Sequence, residues 1–187
     1  MKITTHGLLS AAGLRVYGTL ACLVALSAPL AMAELRLGES PSVITLTDKE
    51  GGRVDGKPWS STELQGKIHL LFYVDPDHKG DNEALETALN NEKFPEESFQ
   101  STAVINMDAT WLPNAAIASS LKKKQEQYPR TVYVKDLKKK LVREWKIADN
   151  AYVVLMFDKA GKPLFQKAGT LSDADIKQLI GLIKSNL

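Results

Sequence analysis

A chain of 187 residues, 44% of them hydrophobic, can bury one ordinary core, and its formal charge of +2 falls well short of the basic excess that nucleic-acid binding demands. Lys2 and Arg15 account for that excess; without them the basic and acidic residues balance at 22 each. A single cysteine, Cys22, excludes an intrachain disulfide.

Residues 1–33 read as a signal peptide. Lys2 and Arg15 give a basic, acid-free start, Val16 to Leu30 is mostly apolar, and Ala31-Met32-Ala33 is the small-residue pattern that signal peptidase reads. The apolar run, interrupted by Ser27 and Pro29, is short for a membrane span. Cleavage is expected between Ala33 and Glu34, leaving one domain, 34–187, with no stable membrane insertion. Thr19-Leu20-Ala21 before Cys22 is a poor match to a lipoprotein anchor, so the mature chain is expected to carry no thiol.

Further along, Val43 to Thr47 reads as a short strand and Asp48 to Gly52 as a turn. Ile68 to Val74 is a buried strand, followed by the polar turn Asp75-Pro76-Asp77-His78-Lys79-Gly80. Ala84, Leu85, Ala88 and Leu89 share one face of a helix over Asp81 to Asn91, with Asp81 as its expected N-cap. Thr102 to Met107 is a second strand. Pro113 opens a helix over Asn114 to Gln127, which stops before Pro129. Thr131 to Val134 is a third strand, and Leu141 to Ile147 reads as short strand or irregular. Ala151 to Asp158 is continuously apolar and β-branched, as in a strand buried on both faces. Lys159-Ala160-Gly161 turns the chain into an outer strand, Pro163 to Ala168, whose leading proline argues for an edge. Ser172 and Asp175 form a capping box before a helix with Ile176, Leu179, Ile180 and Ile183 on one face. Strands alternating with helices, then a hairpin and a closing helix, predict an α/β sandwich with a central mixed sheet flanked by helices.

The stretches "GESPSVITLTDKEGG" and "STELQGKIHLLFYV" resemble the opening of peroxiredoxin and TlpA-like members of the thioredoxin fold. "AYVVLMFDKAGKPLFQKAGTLSDADIKQLIGLI" resembles their last hairpin and closing helix. More narrowly, Trp59, Leu64, Gly66 and Lys67, the cysteine-free turn, and the hairpin ending in Gly169 resemble the YtfJ family of small exported proteins of Gram-negative bacteria. The resemblance implies a thioredoxin-like domain with an N-terminal β extension, located in the periplasm, in a family with no established activity. The active-site cysteines of such folds would fall around Pro76 to Lys79, and the cis-proline facing them on Asn150 or Ala151; neither feature is present. A thiol oxidoreductase is therefore not expected.

The resemblance also brings the ends of three strands, at Tyr73, Asp108 and Ala151, to one rim, where open α/β sheets bind ligands. Tyr73, Asp75, Asp77, His78, Trp111 and Asn150 are the candidate binding residues of this rim; for Tyr73, and for Tyr152 beside it, a core position is the favoured reading, and Trp111, beside Pro113, is the expected exposed anchor. The adopted expectation is a non-catalytic binding protein of the envelope, with a protein or peptide partner and no cofactor. The alternative is a cysteine-independent or metal-dependent enzyme using the Asp75 to Asp81 turn; a small-molecule carrier is a third reading. Asp75, Asp77, His78 and Asp81 match no calcium loop, and one His is weak support for zinc, so no metal is expected. His69, inside a strand, reads as structural. His6 leaves with the signal, and no nucleophile elbow, Walker loop or dinucleotide glycine pattern is present. Lys122 to Lys124 and Lys138 to Lys140 read as solvated basic runs, with weak attachment to anionic headgroups as the other possibility.

Overall fold

A computed structural model describes residues 34–110 and 112–187. The expected signal segment with Ala33 and Cys22, and the candidate anchor Trp111, lie outside the described residues.

The strands are β1 (Thr45–Leu46), β2 (Gly51–Arg53), β3 (Trp59–Ser60), β4 (Ile68–Val74), β5 (Phe99–Asn106), β6 (Thr131–Asp136), β7 (Tyr152–Phe157) and β8 (Pro163–Ala168). The α-helices are α1 (Glu83–Glu92), α2 (Asn114–Gln127), α3 (Lys140–Trp145) and α4 (Asp173–Asn186). Among the described residues, six strands form one sheet in the order β2-β6-β5-β4-β7-β8, while β1 and β3 pair separately. The pairs β4–β5 and β5–β6 are parallel, and the other three pairs are antiparallel. This is the mixed α/β sandwich expected from the element order.

All seven residues of β4 and all six of β7 are buried, because these two central strands are covered on both faces. Period-two alternation divides β4 between two cores. Ile68, Leu70, Phe72 and Val74 pack with Leu85, Ile117, Leu121, Leu179 and Ile183, under α1, α2 and α4. Leu71 and Tyr73 pack with Ile44, Trp59, Leu141 and Trp145, under the N-terminal extension and α3. The capping box of α4 is complete: Ser172 Oγ accepts from the Asp175 N–H, and Asp175 accepts from the Ser172 N–H. Pro163 opens β8 at the sheet margin, as expected.

Four expectations are corrected. Leu141 to Ile147 contains neither strand nor loose chain but α3: Leu141 and Trp145, one turn apart, are both fully buried. Asp81 is not the cap of α1. Asn82 holds that position, and its side chain turns away to the Gly169 carbonyl (3.1 Å) and the Leu171 N–H (2.9 Å). Gly51 and Gly52, expected in a turn, join Arg53 in an edge strand on β6. Gly51 makes this possible, since at its φ of +130° a Cβ would collide with the Lys135 carbonyl. The N-terminal strand is shorter than Val43 to Thr47, with Val43 facing solvent.

Candidate functional site

The rim forms where the chain leaves β4 and β5 and enters β7. Asp75 is buried; its Oδ1 accepts from the Asp77 N–H at 2.9 Å and caps a short 3₁₀ turn, Pro76–His78. The Asp75 N–H donates to the Ala151 carbonyl. Thr110 Oγ1 donates to Asp77 Oδ1 (3.3 Å), tying the loop after β5 to this turn. His78 Nδ1 lies 2.9 Å from Asp81 Oδ2. Asn106 Nδ2 donates to Asp149 Oδ1 (3.0 Å), and Lys139 donates to Asp149 Oδ2 (2.8 Å). Burial alone would raise the Asp149 carboxyl, but the bonds from Lys139, the Asn150 backbone and Asn106 outweigh it and hold it below the usual carboxylate range. Asn150, exposed, adopts a left-handed φ of +51°, which its side chain tolerates better than most.

The structure therefore divides the six expected rim residues. Asp77, His78 and Asn150 reach solvent; Asp75 is spent inside the turn. Tyr73 leaves the rim and takes the core position favoured for it: it is 1% exposed and points to the α3 face, where its hydroxyl donates to Asp136 Oδ2 (3.3 Å). Burial, then the Asp136 charge, pushes its phenol far above the ordinary value. His69 is buried, with Nε2 2.8 Å from Thr102 Oγ1, in keeping with a structural role. Among the described residues, no group of three or more His, Cys, Asp or Glu side chains could hold a metal ion.

Sequence reasoning missed a concavity on the helical face of the sheet. A slot of about 700 Å³ lies between α1 and α2, over the face of β4, β5 and β6. Phe72, Val74, Ala103 and Ile105 form its floor, and Leu89, Ile117 and Leu121 its walls. Tyr133 and Tyr152 enter from the sheet, and the Tyr152 hydroxyl donates to Glu86 Oε1 (3.3 Å). Burial and the Glu86 charge raise both phenols, Tyr133 to about 12. Lys79 stands at the rim end, and Lys93, Lys124 and Arg130 at the opposite end. The available signal was α2 itself: Ala116 and Ser120 line the slot, and only Ile117 and Leu121 of the helix are buried. A helix that commits so little bulk to the sheet leaves a gap beneath it.

A family model described as "Bacterial protein of unknown function (YtfJ_HI0045)" matches residues 42–186. The uncharacterised protein YtfJ of Escherichia coli strain K12 is 26% identical over 135 residues, covering 70% of this chain and 73% of that protein. An uncharacterised protein of Haemophilus influenzae is 28% identical over 130 residues, covering 68% and 71%. Among solved structures, the thioredoxin domain of a thiol-disulfide oxidoreductase from Bacteroides vulgatus superposes with a TM-score of 0.55 at 18% identity, covering 82% of this chain and 100% of that one. At that identity the likeness establishes the thioredoxin-like fold.

Proposed function

The chain belongs to the YtfJ_HI0045 family of bacterial proteins, and from that premise we propose that it is an exported, thiol-independent binding protein whose ligand is a small molecule held between α1 and α2. The slot carries this reading. Its volume lies within the ordinary range of ligand sites, about 300–1,000 Å³, and it joins an apolar floor to a few convergent polar groups. Two observations support thiol independence. The only cysteine lies in the expected signal, and a turn capped by Asp75 stands where a catalytic thiol would sit. The Ala31-Met32-Ala33 pattern supports a periplasmic location.

Native mass spectrometry of the protein recovered from the periplasmic fraction tests this reading. The expected species begins at Glu34 and carries a small-molecule adduct at unit stoichiometry. A lipid-modified species beginning at Cys22, or a protein that stays ligand-free through gentle recovery, counts against it.

A second reading, partner binding at the rim, rests on the bonded contact of separate loops there. Thr110 is bonded to Asp77, next to His78, and Asn106 to Asp149, next to Asn150. Pull-down with Asp77→Ala/His78→Ala separates the two: loss of a discrete protein partner with the adduct retained assigns the rim its own role.

A further inference from the structure

Taking the slot between α1 and α2 as the ligand site, we propose that its ligand is a single-chain anionic amphiphile: a long acyl or alkyl chain ending in a carboxylate or phosphate. Shape gives the first argument. On β5 the alternate residues Phe99, Ser101, Ala103 and Ile105 all line the slot. Six residue steps along a strand span about 20 Å. A concavity of about 700 Å³ drawn out over that length is long and narrow, and fits an extended chain better than a compact ring system. Its apolar floor removes such a chain from water along its length, which is the main source of affinity for a ligand of this kind.

Charge gives the second argument. Lys93, Lys124 and Arg130 gather at the end where α1 and α2 finish. Arg130 is anchored, donating to the Phe94 carbonyl (2.6 Å) and pairing with Glu96 (2.8 Å), so it helps fix this end of the slot. Lys93 and Lys124 form no ion pair with a described residue. The one carboxylate lining the slot, Glu86, is engaged by the Tyr152 hydroxyl further along α1. An anionic head therefore meets two lysines at the slot's end, while the chain lies over Phe99, Ala103 and Phe72 toward the rim.

The experiment titrates the processed protein with tetradecanoate, tetradecyl phosphate and tetradecyltrimethylammonium, each below its micelle concentration, by calorimetry. Both anions are expected to bind at unit stoichiometry, at least tenfold more tightly than the ammonium compound. The stronger of the two tells whether a fatty acid or a phosphate-headed lipid is the better source. Lys93→Asn combined with Lys124→Gln should weaken the anions at least tenfold and leave the ammonium compound unchanged; Asn suits the left-handed φ of residue 93. Ala116→Trp, at an exposed position on α2 that lines the slot, should abolish all binding without unfolding the chain. Equal binding of the ammonium compound, blocked by Ala116→Trp, overturns the anionic class and leaves the slot as a ligand site. Absence of binding by all three, or binding indifferent to Ala116→Trp, overturns both.

Discussion

His69 shows how a buried residue can govern the acid response of this protein without taking part in binding. Burial, then the nearby Lys67 charge, lowers its imidazole from 6.5 to about 4. The folded ring stays neutral where an unfolded one takes up a proton, so between these values the unfolded chain holds more protons. Stability is therefore lost as pH falls from about 6.5, and the full loss, on the order of 3 kcal/mol, is reached below about pH 4. His69→Gln keeps a polar group near Thr102 and removes the titration. Urea unfolding at pH 7 and pH 4.5 should show a smaller drop in the variant than in the parent; equal drops would clear His69 of the effect. Reading His69 as structural from its place inside an apolar strand was possible because a histidine flanked by Ile68 and Leu70 has no access to solvent. Tyr73 was harder. Its sheet face follows from alternation, but what that face meets depends on α3, which the pattern did not reveal.

At the level of elements, α3 is held by one carboxylate. Asp136, fully buried at the end of β6, accepts from the N–H groups of Lys138 (3.2 Å), Lys140 (2.9 Å) and Leu141 (3.0 Å), and from the Tyr73 hydroxyl. An amide can supply only one of the two acceptor oxygens, so Asp136→Asn turns its NH₂ toward donors. The expected cost is about 3 kcal/mol, against about 1 kcal/mol for Tyr73→Phe, which removes a single bond. Urea midpoints for the two variants check the order; equal costs would mean that the cap does not hold the helix. This dependence explains why α3 was illegible. Six residues with Lys139 and Lys146 in left-handed conformations at either end carry no strong helical signal of their own, and the partner that starts the helix lies on another element. By contrast, β4, β7 and α4 were legible because continuous burial, alternation and a capping box are written in neighbouring residues. The slot was not, because it is defined by the separation of α1 and α2 and by side chains too small to fill it.

At the scale of the whole molecule, the sheet carries unequal burdens on its two faces. One is sealed by Trp59, Trp145 and α3; the other leaves room for a ligand. Its margins matter as much. β2, at one end of the order, has three residues, two of them glycine; β8, at the other, opens with Pro163 and carries Lys167, which pairs with Asp175. A short margin offers few free amides, and a proline with a charged neighbour interrupts the row on the longer one. Neither margin can template the addition of a strand from another copy, so a crowded compartment would not convert this sheet into a growing ribbon. Pro163→Val with Lys167→Val should restore that capacity: light scattering at raised concentration and mild heating would grow in the variant while the parent solution stays clear. Resistance to aggregation in this molecule would then rest on its two outermost strands, β2 and β8, rather than on the sheet face that holds the slot.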